Sequence, residues 1–176
     1  MKPTHIKGRI WVLTSPGGQL YDDIDTDQIF HNRYLHITDV AQMGQYALDN
    51  LKGWEDFAKK AQPGDIVVVG SNFGSGSSRQ QAVDCFRALG IVAIVAESFG
   101  AIYKRNAINS GLPIVSLPGL TGMAGEFHTG ATLEVDLATG RALLDGKAYQ
   151  AEPLSQVQMD IYQAGDIFAY GKQQGA

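Results

Sequence analysis

A single cysteine, Cys85, stands in the whole chain. One thiol makes an intrachain disulfide impossible, and it cannot by itself build a zinc or iron–sulfur site. A function that needs such a cluster must take it from another chain. No apolar run is long enough to read as a membrane span, and no cationic, apolar leader precedes the first strand, so the expected compartment is the cytoplasm. Basic charge is also short. The formal net charge is −4, which argues against nucleic acid or an anionic membrane as a partner. The histidines His5, His31, His36 and His128 are scattered, and no pair has the helical spacing of metal ligands. His36, in a loop after Arg33-Tyr34-Leu35, is the one to watch.

What remains is an ordinary globular composition: 44% hydrophobic and 18% charged residues give enough apolar material for a core. The 176 residues fit a single domain spanning 1–176. The 21 glycines are many for this length and imply tight turns.

Glycine is concentrated where it matters most, in Gly70-Ser-Asn-Phe-Gly-Ser-Gly-Ser-Ser-Arg79. This loop follows the apolar strand Ile66–Val69 and opens a helical run, Ser78–Leu89. A strand, a glycine loop and a helix start bring free N–H groups and the positive end of a helix dipole into one space, which suits an anion. The nucleotide versions of such a loop do not match. A P-loop needs Lys before Ser or Thr, and none is present; the dinucleotide fingerprint needs a third glycine where Arg79 stands. An ordinary strand-to-helix turn with a serine cap is the commoner meaning of such a loop alone. Against it stand two serines and an arginine, and Arg binds carboxylates as a bidentate fork. Placed in the first helical turn, Arg79 would oppose the dipole, a local conflict of the kind found at functional sites.

The order of elements predicts a mixed α/β fold. Strands are expected at Arg9–Thr14, Ile66–Val69, Ile91–Ala96, Thr132–Asp136 and Ala142–Leu144. Helices are expected over Ser78–Leu89, Phe99–Asn109 and, as the last element, Leu154–Ala164. Helical spacing also runs through Asp39–Lys60, broken near Gly53. Asp22–Phe30 reads as a short extended piece entering a loop, and Asp145-Gly146 as a hairpin turn. The strand–helix alternation in the middle means a parallel βαβ centre, with antiparallel flanks.

Two further features have plain readings. Asp23, Asp25 and Asp27 match three ligand positions of a calcium loop, but Gln28 and Tyr34 occupy the positions that need Gly and Glu, which excludes calcium. Taken alone, the acidic run is a solvated or capping cluster. Cys85, in mid-helix between Val83 and Phe86, reads as a small core residue.

Taken together and in order, several segments carry a resemblance. They are Asp22-Asp-Ile-Asp-Thr-Asp-Gln-Ile29, Arg33-Tyr-Leu35, Asn72-Phe-Gly-Ser-Gly-Ser-Ser-Arg79, Glu97-Ser-Phe99, Arg105-Asn-Ala-Ile-Asn109 and Gly111-Leu-Pro113. With weaker matches at Glu134–Leu137, Pro153-Leu154 and Ala164-Gly165, nearly the whole chain resembles the small subunits of the 3-isopropylmalate dehydratase family. That family is the aconitase superfamily's swivelling domain made as a separate chain. The resemblance implies an α/β fold of mixed β sheets and helices in β/β/α layers. It also implies a hydro-lyase active only with a large subunit, acting on a 2-hydroxy diacid in leucine biosynthesis. The partner would carry a [4Fe-4S] cluster whose open iron binds substrate. By the same resemblance Ser77 is the general base, Ser78 and Arg79 hold substrate carboxylate, and Arg33 reaches substrate. Tyr34, Leu35, His36 and Ile37 would meet its variable substituent.

The chain departs from the family pattern at Gln80-Gln81, where Glu-His or Glu-Gln is usual. It departs again at Phe30-His31-Asn32, where Ile-Pro and a small residue usually precede Arg-Tyr-Leu. The loop Tyr34–Ile37 matches no assigned substrate signature. The substrate therefore stays open among isopropylmalate, homoaconitate and dimethylmalate types. The rival of another class is a non-enzymatic, anion-binding regulatory protein on the same fold. The serine pair and arginine discriminate, because a retired site loses its proton-abstracting serine first. A stand-alone enzyme without iron is disfavoured, since no other electrophile for removing hydroxide is found in the sequence.

Overall fold

The computed structural model describes residues 1–175. Among them, seven strands make one mixed sheet: β1 (His5–Val12), β2 (Ile66–Val69), β3 (Ala93–Ala96), β4 (Ile114–Ser116), β5 (Thr132–Asp136), β6 (Arg141–Leu144) and β7 (Lys147–Gln150). Their order across the sheet is β4-β3-β2-β1-β5-β6-β7. Strands β1 to β4 run parallel, whereas β5, β6 and β7 alternate in antiparallel pairs beyond β1. The antiparallel part thus lies on one side only, not on both flanks.

Strand β1 is shared between the two halves. His5–Arg9 pair with Thr132–Asp136 of β5, and Ile10–Val12 pair with Ile66–Val68 of β2. This pairing is why β1 begins earlier than its apolar residues suggest.

The parallel strands are buried on both faces, as βαβ crossovers require. All four residues of β2 are buried, and they alternate between two cores. Val67 and Val69 pack with Val83, Phe86, Tyr103 and Ala107 of the helices. Ile66 and Val68 pack with Leu133, Val135, Ala142 and Leu144. The sheet therefore curls until its antiparallel half covers the face that the helices leave. This produces β/β/α layers from one continuous sheet.

The described residues also form six α-helices: α1 (Thr26–Ile29), α2 (Phe57–Lys60), α3 (Gln81–Leu89), α4 (Ala101–Asn109), α5 (Gln156–Ala164) and α6 (Ile167–Gln173). The order β2-α3-β3-α4-β4 is the expected parallel centre. The β6–β7 connection is Asp145-Gly146, with φ of 50° and 82°, the paired positive values that suit the twist of a two-residue hairpin.

Four expectations need correction. Helix α3 starts at Gln81 rather than Ser78, because the Ser77 carbonyl is taken by Thr26 Oγ1 at 2.9 Å. Residues 39–60 are not a long helix. The backbone N–H of Leu48 donates to the Ile29 carbonyl at 2.8 Å, and Leu48 itself has φ 62°. The chain proceeds instead by tight turns at Val40–Gln42 and Gly44–Tyr46, ending in α2. Of the apolar residues at helical spacing there, Met43, Ala47, Leu51 and Phe57 are buried all the same, and Tyr46, Trp54 and Ala58 are half-buried. Asp22–Phe30 does not stay extended, since Asp25 and Gln28 form a capping box that starts α1. Helix α5 is not last: Asp166 caps α6 through the Ala169 N–H at 2.8 Å.

Candidate active site

The loop from Gly70 to Arg79 is clamped from two sides. On one side runs the acidic segment. Asp23 N–H donates to the Ser71 carbonyl (2.9 Å), Gly74 N–H to the Ile24 carbonyl (2.7 Å) and Thr26 N–H to the Ser75 carbonyl (2.9 Å). Asp22 Oδ1 accepts from both the N–H (2.7 Å) and the hydroxyl (3.0 Å) of Ser71, and Asp23 accepts from Asn72 Nδ2 (3.0 Å). On the other side, Ser98 Oγ accepts from the Asn72 N–H, while Phe73 exchanges backbone bonds with Ser98 and Gly100. The aspartates of the run are thus tied to loop donors, to Arg79 or to the cap of α1.

Gly74 is required at the centre of this clamp. Its φ is +83°, and a Cβ there would lie 2.2 Å from Cγ of the Tyr103 ring. That ring is fixed in turn, because Tyr103 is buried and its hydroxyl donates to the Ala82 carbonyl at 2.8 Å.

Beyond Gly76 the loop turns outward. Ser77 and Ser78 are exposed just before α3. The backbone N–H groups of Ser77, Ser78, Arg79 and Gln80 have no hydrogen-bond partner among the described residues. Free donors ahead of a helix are available to an anion. Arg79 lies before the helix cap, not in its first turn. Its side chain is 13% exposed, and Nη1 donates to Asp27 Oδ1 (3.1 Å) and to the Phe30 carbonyl (2.8 Å). Nε and Nη2 bond to no described residue, and no fully buried side-chain nitrogen or oxygen lacks a partner. Those two donors are therefore not sealed from solvent. The positive charge that seemed misplaced against the dipole is neutralised on one edge and presented on the other.

Asp27 is held as the carboxylate. Burial pushes its pKa up, but the Asn32 N–H and the Arg79 guanidinium outweigh this and keep it below the ordinary value.

The Arg33–Ile37 segment lies beside Arg79. It is tied there by the Asn32 N–H to Asp27 Oδ1 bond (2.8 Å) and the Gln81 Nε2 to Leu35 carbonyl bond (3.2 Å). Its side chains divide. Arg33 and His36 are exposed, and Leu35 is 40% exposed. Tyr34 turns inward: its ring stacks on Tyr46 at 3.9 Å, and its hydroxyl donates to Asp49 at 2.7 Å. That bond, followed by burial, raises the Tyr34 pKa. Ile37 also packs against the core.

The loop also gathers groups to which the sequence reading gave no role. Thr26, 3% exposed, holds the Ser77 carbonyl. Asn106 of α4 donates from Nδ2 to Ser78 Oγ at 3.1 Å. Gln81 braces the Leu35 carbonyl. Asn106 lies inside the Arg105–Asn109 motif, which was a signal, but helical phase alone does not say which of its residues faces the loop.

The serine pair stands on open surface. A cavity of about 590 Å³ lies apart from it, between Val12, Leu20, Phe127 and His128.

Comparison with known proteins is consistent along the chain. The model of the aconitase C-terminal domain family matches residues 22–118. The 3-isopropylmalate dehydratase small subunit of Aquifex aeolicus (strain VF5) is 40% identical over 169 residues, covering 95% of this chain and 94% of that protein. The small subunit of the same name from Saccharolobus islandicus (strain M.14.25 / Kamchatka #1) is 40% identical over 161 residues, covering 92% and 94%. Among solved structures, the crystal structure of 3-isopropylmalate dehydratase (leuD) from Methanocaldococcus jannaschii DSM2661 superposes with a TM-score of 0.84. It is 34% identical and covers 97% of this chain and 95% of its own.

Proposed function

The chain belongs to the 3-isopropylmalate dehydratase small-subunit branch of the aconitase C-terminal domain family, and from that membership we infer that it is the small subunit of a heteromeric hydro-lyase. It works with a large subunit, as one swivelling domain in the cytoplasm, on a 2-hydroxy diacid of the 3-isopropylmalate type in leucine biosynthesis. No helix among the described residues is long and apolar enough to cross a membrane.

Enzymes of the aconitase family use a [4Fe-4S] cluster. Among the described residues no group of three or more His, Cys, Asp or Glu could hold a metal ion. The lone thiol is buried inside α3, where burial raises its pKa steeply. This chain's residues do not fit the cluster, and we place it on the large subunit.

The chain's own part is proton abstraction and carboxylate binding. Ser77 Oγ takes a proton from the carbon beside a carboxylate, and to do so it must carry negative charge. The unpaired N–H groups ahead of α3, the dipole of that helix and the Arg79 guanidinium stabilise such an alkoxide. The Ser78 hydroxyl and the Nε–Nη2 edge of Arg79 bind substrate carboxylate, with Arg33 reaching the substrate from the adjacent loop. Leu35 and His36 face its variable branch, and Tyr34 and Ile37 brace that loop from behind. The observation that carries this reading is the divided guanidinium of Arg79, fixed along Nη1 and open along Nε and Nη2.

Activity in the complex is the test. Co-produced with a cluster-bearing large subunit, the chain should support dehydration of isopropyl-branched 2-hydroxy diacids. Purified alone, it should be colourless and inactive. Turnover by the isolated chain with no iron present would overturn the two-subunit reading.

A further inference from the structure

The unpaired backbone groups just ahead of α3 include a run of donors. The N–H groups of Ser77, Ser78, Arg79 and Gln80 have no partner among the described residues. Nε and Nη2 of Arg79 are not sealed from solvent, and neither nitrogen can accept. The Ser78 hydroxyl could act either way, since a hydroxyl carries one proton and two lone pairs.

Asn106 resolves that choice. Its Nδ2 lies 3.1 Å from Ser78 Oγ, and an amide nitrogen donates without accepting. Ser78 Oγ is therefore the acceptor in this bond, and its own proton must point to another oxygen. Among the described residues no other hydrogen bond involves that hydroxyl. Its proton is left without a partner among the described residues.

Asn106 is well placed to fix a direction, because α4 is pinned to the start of α3 around it. The Tyr103 hydroxyl donates to the Ala82 carbonyl at 2.8 Å, and Gln80 Nε2 donates to Ser110 Oγ at 2.6 Å. A side chain between two such ties holds its orientation without help from substrate.

We propose that Asn106 is a positioning residue: by occupying a lone pair of Ser78 Oγ, it commits the Ser78 hydroxyl to donate to a substrate carboxylate. The groups that meet the carboxylate are then all donors, and they favour anionic oxygen over a neutral alcohol or amide, whose own O–H or N–H would find no acceptor among them. This inference rests on the carboxylate-binding role given to Ser78 above.

The test is a double-mutant cycle in the assembled two-subunit enzyme, with cluster content and thermal melting checked for each variant. Ser78→Ala should raise KM by about tenfold, the scale of one hydrogen bond to a charged group. Asn106→Ala frees the hydroxyl to rotate and should raise KM severalfold, with kcat changed much less. In the Ser78→Ala background, Asn106→Ala should add nothing, because its action passes through the missing hydroxyl. Asn106→Asp keeps the shape but supplies an acceptor, which draws the Ser78 proton away and adds like charge. KM should then rise more than in Asn106→Ala and fall again as the introduced carboxyl is protonated.

If Ser78→Ala leaves KM unchanged, the carboxylate reading of Ser78 falls and this inference with it. If Ser78→Ala raises KM but the two alanine effects multiply, or if Asn106→Asp leaves KM at the wild-type value, only the inference is overturned.

Discussion

Arg79 Nη1 lies 3.1 Å from Asp27 Oδ1, and the same carboxylate oxygen accepts from the Asn32 N–H at 2.8 Å. One oxygen thus fixes the guanidinium and the entry to the Arg33–Ile37 loop. The glycine loop and the loop proposed to meet the substrate's branch are set against each other before any substrate arrives. This pair also separates the two edges of the guanidinium. Lysine could keep the ion pair with Asp27, but a point charge cannot bond Asp27, the Phe30 carbonyl and a bidentate carboxylate at once.

Arg79→Lys should therefore damage the enzyme although charge is kept. Substrate binding should weaken and turnover should fall together, because the same contact orients the reacting carbon. Steady-state kinetics of the complex, with cluster content matched, give the answer. Unchanged kcat and KM would mean that Arg79 serves only to brace the Phe30 carbonyl and Asp27.

Ser77→Ala separates chemistry from folding. Ser77 is exposed, and among the described residues only its backbone carbonyl is engaged, by Thr26. Removing Oγ should leave the thermal midpoint in place while kcat falls by several orders of magnitude. Retention of turnover within about tenfold of wild type, or about 1.4 kcal/mol of barrier, would show that another group is the base.

Gly74→Ala should act in the opposite way, on the fold. The added methyl meets the Tyr103 ring at 2.2 Å, and the backbone stays at φ +83°. Overpacking and left-handed strain add to a cost of about 2–4 kcal/mol. Urea unfolding of the isolated chain should show that loss. A midpoint equal to wild type would mean that the ring swings aside.

Acid should weaken the chain through Asp65. Burial alone would raise its pKa, but bonds from Arg9, Trp11 Nε1 and the Gln62 N–H reverse this and hold the folded value below the model-peptide one. A lowered folded pKa contributes stability that is fully present above the unfolded value, about 3.9, and is lost as pH falls through the folded value. Unfolding free energy should therefore drop below about pH 4, and Asp65→Asn should flatten that part of the profile while lowering stability at neutral pH. A variant whose stability between pH 3 and 5 runs parallel to wild type would remove Asp65 from the account.

The sequence made the parallel centre readable because β2, α3, β3 and α4 each carry their own period and punctuation. It made the loop readable because glycines, paired serines and an arginine rarely meet by chance after a strand. It misled wherever distant backbone bonds overrode local pattern. The Leu48 N–H goes to Ile29 and breaks a helix whose apolar spacing was sound. The Ser77 carbonyl goes to Thr26 and delays α3 by three residues, which turns Arg79 from a residue opposed to the dipole into one braced by Asp27. The acidic run was legible as a motif but not as a clamp, since its partners lie about fifty positions away in the chain. The roles of Thr26, Gln81 and Asn106 needed three-dimensional neighbours to be seen at all.

Specificity should reside at the tip of the Arg33–Ile37 loop, and the geometry narrows it to two side chains. Tyr34 is engaged with Tyr46 and Asp49, and Ile37 with the core. The Leu35 carbonyl is tied to Gln81, so the backbone is fixed while Leu35 and His36 stay exposed. A short loop held at both ends can exchange its outward side chains without disturbing the scaffold. An apolar branch such as isopropyl favours apolar walls, whereas an added carboxylate favours a cation or a donor. His36→Val should shift preference toward isopropyl-branched 2-hydroxy diacids, and His36→Arg toward substrates with an extra carboxylate. The measurement is the ratio of kcat/KM for one substrate of each kind across both variants. Movement of that ratio in opposite directions assigns the choice of branch to this loop; a ratio that stays put in both variants means that this loop does not set specificity and the determinant lies elsewhere.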